Sequence, residues 1–220
     1  MKYRSVFDII GPIMIGPSSS HTAGVVRIGA VARELFNHKI ESARITFYGS
    51  FAETYRGHAS DVAIVGGLLG FATDDKRIQN ALQHAEKMGV AIKFLTSDAP
   101  CEHPNTIRIE LSGNNKHMCI VGQSVGGGSI AITEINGFQI HLSAECPTLL
   151  IGNKDMPGAI AEVSQIFYRN NINIANMDVS RNCKGEEALM VISCDSNVSA
   201  AVLKEIAALP QINWIKQVEA

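Results

Sequence analysis

The last third of the chain switches between two hydrophobic periods in a fixed order, and that order leaves few folds open. Thr148 to Gly152 is a short apolar run that suits a strand. Asp155-Met156-Pro157-Gly158 reads as a turn entering a helix, because proline lacks the N–H that would go unpaired in a helix's first turn. Ile160, Val163, Ile166 and Phe167 recur at helical spacing and predict one apolar face. Asn170-Asn171 ends that helix. Ile172 and Ile174 alternate, and Met177 and Val179 alternate one step out of phase, which predicts a strand with a bulge near Ala175-Asn176. Lys184-Gly185 supports a turn, and Ala188 to Cys194 is a continuous apolar strand. Ser199 caps a second helix carrying Val202, Leu203 and Ile206, which stops before Pro210. Ile212, Trp214 and Val218 complete a last strand. The order β-α-β-β-α-β is a ferredoxin-like motif, and it assigns residues 147–220 to a domain of their own.

Residues 1–146 have a different texture, with glycine clusters and many small side chains. Arg44 to Tyr48 suits a strand, and Lys76 to Met88 suits a helix with Ile78, Leu82 and Ala85 on the face that covers a sheet. The expectation is an α/β domain on a mixed sheet followed by the ferredoxin-like domain, α+β overall. Hydrophobic residues are 46% and charged residues 18%, with mean hydropathy +0.10. That supplies a core and argues against disorder. The formal net charge is -2 and no Lys/Arg cluster stands out, so a nucleic-acid partner has no basic face to bind. Val62 to Ala72 is uncharged but carries three glycines and is too short to span a bilayer. Lys2 and Arg4 precede apolar residues as in a signal peptide, but Asp8, Pro12 and Pro17 interrupt the stretch. A cytoplasmic protein is expected.

The five cysteines, Cys101, Cys119, Cys146, Cys183 and Cys194, are widely and irregularly spaced. There is no Cys-x-x-Cys pair, so no metal or iron–sulfur site is expected from this chain alone. Chemistry concentrates elsewhere. Gly16-Pro17-Ser18-Ser19-Ser20-His21-Thr22 precedes a helical pattern that includes Val25, Ile28, Val31 and Leu35. Hydroxyls at a helix start either cap its free N–H groups or share them with a bound carboxylate. His21 lies in that first turn, where the helix dipole disfavours imidazolium, and a neutral imidazole suits a general base. Gly57-His58-Ala59-Ser60-Asp61 follows the first strand; standing three positions apart, His58 and Asp61 share a face if one helix carries both. His103-Pro104-Asn105-Thr106 and Ser124-Val125-Gly126-Gly127-Gly128 are loop-like. The triple glycine serves either as a flexible turn or as a set of N–H donors for an anion.

The last third resembles the ACT regulatory domain through Asp155-x-Pro157-Gly158, the helix after it, and Asn171-Ile172-Asn173-Ile174. The resemblance implies side-by-side self-association and an amino-acid effector, with Asn153, Asp155 and Gly158 as contacts; a dimerisation platform alone is the other reading. A monovalent cation could sit in the carbonyl-rich turn, though nothing in the sequence requires one. The string Gly16 to Thr22, then Gly57-His58-x-x-Asp61, His103-Pro104-Asn105-Thr106 and Ser124-x-Gly126-Gly127-Gly128, resembles the small, beta-type subunit of the iron–sulfur L-serine dehydratases. That resemblance spans nearly the whole chain. It implies deamination of L-serine to pyruvate and ammonia, with a [4Fe–4S] cluster held by a cysteine-containing alpha subunit as partner. It also implies catalytic His21, His58 and Asp61, with either histidine as base. Substrate contacts would be Ser18, Ser19, Ser20, Thr22, Asn105, Thr106, Gly126, Gly127 and Gly128. The rival is a non-catalytic serine-sensing module, related to the substrate-binding domain of some phosphoglycerate dehydrogenases.

Overall fold

The structure, a computed structural model, describes residues 13–218. Lys2, Arg4, Asp8 and Pro12, weighed above as part of a targeting signal, lie outside the described residues. The chain divides into one unit running to Asn136 and another beginning at Gly137. That division falls ahead of the 146/147 boundary drawn from composition, because strand β6 (Phe138–Leu142) packs on later strands of the second unit.

The first unit opens with a π-helical turn, Ser19–Ala23, running directly into α1 (Gly24–Phe36). There follow β1 (Ser42–Tyr48), α2 (Gly49–Thr54), α3 (Ser60–Leu68), a 3₁₀ turn (Lys76–Asn80), α4 (Ala81–Lys87), β2 (Ala91–Ser97), β3 (Thr106–Gly113), β4 (Lys116–Gly126) and β5 (Ser129–Ile135). The strands are ordered β2-β1-β3-β4-β5. β1 and β2 are parallel, joined by the helical crossover, and the rest are antiparallel. Every second residue faces the helices: Ala43, Ile45 and Phe47 on β1, and Ile107, Ile109 and Leu111 on β3, are all buried. This period-2 burial marks a sheet with one covered face. Helices α1 and α3 cross closely because both carry glycine at the contact. A Cβ on Gly29 would lie 2.6 Å from the Ile64 carbonyl, and one on Gly67 would collide with the Val26 carbonyl.

The expected helix at Lys76 to Met88 is a 3₁₀ turn followed by α4, and this changes its buried face. Ile78, Ala81 and Ala85 are buried, whereas Leu82 is 37% exposed.

The second unit holds β7 (Thr148–Lys154), α5 (Ala159–Arg169), β8 (Ile174–Arg181), β9 (Glu187–Cys194), α6 (Ala200–Ala207) and β10 (Ile212–Val218). Its antiparallel sheet is ordered β10-β7-β9-β8, the pairing that the β-α-β-β-α-β order predicts. The bulge is present, as a register shift between Ile174 and Asn176. Ser199 caps α6 by accepting the Val202 N–H. The core lies between sheet and helices, with Leu149, Ile151, Met190 and Ile192 against Val163, Ile166, Phe167, Val202 and Ile206. Ile160 does not join it and is 46% exposed; Ala159 takes the inward position because it stands a full turn before Val163. Cys194 sits in this core, and burial, reinforced by Asp195 and Cys146, pushes its thiol up to about 11.

Candidate active site

Four sequence segments separated along the chain are tied together around the turn that precedes α1. Ser18 is the N-cap, its Oγ accepting the His21 N–H at 3.1 Å. The next residues wind as a π-turn, closed by Gly24 N–H donating to the Ser19 carbonyl. Single π-turns of this kind are rare and gather at functional sites. The turn is pinned to the second segment from both sides. Thr22 Oγ1 donates to the His58 carbonyl at 3.2 Å, and Ser60 Oγ donates to the His21 carbonyl at 2.7 Å.

These bonds bring the two histidines together. Their ring centroids are 4.7 Å apart and tilted by 39°, and the Phe51 ring stands nearly perpendicular to His21 with 4.9 Å between centroids. On the Nδ1 side His21 meets Ser20 Oγ at 3.1 Å, with Ser18 Oγ at 3.5 Å. Its Nε2 is buried and has no hydrogen-bond partner. Burial, and then the charge of His58, hold the His21 imidazole below its ordinary pKa of 6.5. A neutral ring whose Nδ1–H donates to Ser20 Oγ presents a lone pair at Nε2, the arrangement a general base requires.

Asp61 does not take the place expected of it. His58 lies in the turn before α3, and Ala59 at φ 59° separates it from the helix that carries Asp61. The two side chains therefore share no helix face, and no hydrogen bond joins them. Asp61 Oδ1 accepts the Val62 N–H at 2.9 Å, while His58 Nδ1 faces the Thr54 carbonyl at 3.3 Å.

The third segment arrives beneath Phe51, whose N–H donates to the Pro104 carbonyl at 3.5 Å. Thr106 is buried and donates to the His103 carbonyl at 2.6 Å; Asn105 N–H donates to His103 Nδ1 at 3.1 Å. These bonds make the segment a self-contained turn. The fourth segment is fastened to it, with Ser124 N–H donating to the Asn105 carbonyl at 3.0 Å. The triple glycine is built into a turn. Gly126 pairs with Ser129, and Gly127 and Gly128, at φ 62° and 86°, form a two-residue hairpin loop between β4 and β5. Arg27 Nη1 donates to the Gly128 carbonyl at 2.9 Å. Phe51, Ser60, Ser124 and Arg27 were not singled out from sequence. Ser60 and Ser124 lay inside motifs already marked, but nothing local distinguishes Phe51 and Arg27.

In the second unit, Asn153 is 2% exposed; its Nδ2 donates to the Lys154 carbonyl at 2.8 Å and its Oδ1 has no partner. Gly158, at φ 95°, is the N-cap of α5. Asp155 is already engaged, since Oδ2 accepts from Gly185 N–H at 2.8 Å and from Arg181 at 2.9 Å. The Gly185 N–H, then Arg181, hold its carboxyl below the usual carboxylate range.

Among the described residues no three His, Cys, Asp or Glu side chains are grouped to hold a metal ion. Cys101 and Cys183 are exposed, Cys119 and Cys146 half-buried and Cys194 buried. This donor set does not fit an iron–sulfur cluster. Among the described residues, no helix is long and apolar enough to cross a membrane.

Comparison with known proteins matches residues 5–93 to the serine dehydratase beta chain model and residues 147–211 to the ACT domain model. A "Probable L-serine dehydratase, beta chain" of Bacillus subtilis (strain 168) is 50% identical, over 99% of both chains. An L-serine dehydratase beta chain of Peptoniphilus asaccharolyticus is 33% identical over the full length of both. A D-3-phosphoglycerate dehydrogenase of Bacillus subtilis is 25% identical over 88% of this chain, but over 37% of its own length.

Proposed function

Because this chain belongs to the L-serine dehydratase beta-chain family, we propose that the turn before α1 is its half of a site that deaminates L-serine to pyruvate and ammonia. The observation that carries this reading is His21. It is a half-buried, neutral-biased imidazole with one nitrogen engaged by a hydroxyl and the other, Nε2, buried without a partner. In the proposed reaction Nε2 removes the α-proton of L-serine, and Nδ1, held by Ser20, fixes the tautomer. Loss of the β-hydroxyl then gives aminoacrylate, which tautomerises and hydrolyses. His58 acts through its charge on His21, and Asp61, facing its own helix, has no part in orienting the ring.

The start of the turn is the docking place for the substrate carboxylate. Helix N-termini and hydroxyls favour anions there. The cysteines of this chain do not fit a cluster, so the [4Fe–4S] group that the resemblance implies is assigned to the alpha-type partner. When bound there, it would supply a Lewis acid toward the departing hydroxyl. The second unit is read as a regulatory ACT domain that pairs with its own copy, with Asn153 Oδ1 as the effector contact in place of Asp155. A cytoplasmic location accompanies this reading.

The test is anaerobic reconstitution with the alpha-type subunit and measurement of pyruvate release from L-serine. His21→Ala should lower kcat by on the order of 10²–10⁴ while the complex still assembles. Turnover near wild type in that variant would remove His21 from the mechanism. Serine binding without turnover in the wild-type complex would favour the sensing module, the reading that the phosphoglycerate dehydrogenase relatives bring with them.

A further inference from the structure

Ser124 is a polar side chain that the reaction outlined above leaves unused, and the fold gives it no partner. The residue is fully buried near the end of β4, and its Oγ has neither solvent nor a hydrogen bond. The hydroxyls around it are engaged: Ser18 and Ser20 with His21, Thr22 with the His58 carbonyl, and Ser60 with the His21 carbonyl. Ser124 Oγ instead lies against Gly24, the first residue of α1. A Cβ on Gly24 would collide with it, and would itself lie 3.6 Å from the Ser19 carbonyl. The missing side chain at Gly24 is therefore what lets a hydroxyl from β4 reach the helix start.

A buried hydroxyl without a partner lowers stability, and alanine of nearly the same shape would not. The other buried polar side-chain atom without a partner in this unit, among the described residues, is His21 Nε2. Ser124 Oγ lies against Gly24, and His21 precedes Gly24 by three residues in the same turn, so both residues belong to one helix start although they lie on different elements.

We propose that Ser124 is a substrate-binding residue whose Oγ–H donates to a carboxylate oxygen of L-serine at the start of α1. This deepens the dehydratase reading and rests on it. Both atoms are shut from water in the chain by itself, so binding opens the contact between Gly24 and Ser124. The hydroxyl then meets an anion away from solvent, where a charge-assisted hydrogen bond is strongest.

The decisive comparison uses the complex reconstituted with its alpha-type partner, as wild type, Ser124→Ala and Ser124→Cys, with KM, kcat and Tm measured for each. Ser124→Ala should raise the KM for L-serine about tenfold or more, with a smaller change in kcat and a Tm no lower than wild type. Ser124→Cys keeps the volume with a weaker donor and should fall between the two. A KM within twofold of wild type in Ser124→Ala overturns the assignment. So does a Tm several degrees lower, which would mean that the hydroxyl already has a partner in the fold. If the wild-type complex releases no pyruvate, the dehydratase reading fails on its own. Calorimetric titration of L-serine into wild-type and Ser124→Ala complexes then decides Ser124 separately, equal affinities counting against it.

Discussion

His21 shows how one side chain acquires a chemical bias from its surroundings. Its burial and the adjacent His58 both disfavour the imidazolium, so its pKa lies below 6.5. A reaction that needs the free base is therefore sustained near neutrality and lost as pH falls through that lowered value. His58→Gln removes one of the two causes and leaves the burial. The acid limb of kcat/KM should then move to higher pH, and a limb that stays in place or moves to lower pH would show that His58 does not act through charge. Asp61→Asn should leave the limb unmoved, since Asp61 bonds to the Val62 N–H and not to His58. The sequence placed the two histidines and the hydroxyl cluster in one site. It misread Asp61, because an i, i+3 pairing presumes one continuous helix and Ala59 breaks it. Nothing in Gly57-His58-Ala59-Ser60 identifies the alanine, rather than the glycine, as the residue in the left-handed region.

At the scale of elements, two small residues fix how the helices stand around the site. Ala59 holds a positive φ that costs an L-residue about 1–2 kcal/mol. Ala59→Gly should stabilise the chain by up to about 1 kcal/mol after the added chain entropy is counted, measured as a higher urea midpoint at unchanged m-value. Gly67 has the opposite character. A Cβ there would meet the Val26 carbonyl of α1, and a backbone atom cannot swing aside as a side chain does. Gly67→Ala should cost about 1–3 kcal/mol; equal stability would mean that the two helices can separate freely. The hydrophobic period revealed α1 readily, but not the π-turn ahead of it, because π and α windings over five residues leave the same residue types in the sequence.

Over the molecule as a whole, the two units differ in how well the sequence announced them. In the second, amphipathic helices and strands of unambiguous period meet in one core, and Phe167 is among its largest fully buried side chains. Phe167→Ala should cost about 3–5 kcal/mol. Trp214 is the chain's one tryptophan and lies in this unit, so its fluorescence during urea unfolding reads the loss directly. A loss below about 1 kcal/mol would mean that the core collapses to fill the space. In the first unit the sheet runs β2-β1-β3-β4-β5, with β2 carried by a crossover to the far side of β1. Local pattern does not encode such an order, because strand neighbours are chosen by which faces can be buried together.

What the sequence determined by itself was therefore local in origin: the second unit's element order and bulge, the capped helix after Ser199, and the residue types gathered before α1. Period, turn chemistry and capping act over a few residues, so they can be read without the fold. Tertiary structure alone decided that Asp61 bonds to the Val62 N–H and not to His58, that the triple glycine closes a hairpin, and that Asp155 is engaged by Arg181 and Gly185. It also decided that Ser124, distant in the chain, reaches Gly24 without a partner of its own. Each of these depends on which remote segment fills the adjacent space, and burial sets that only when the whole chain packs.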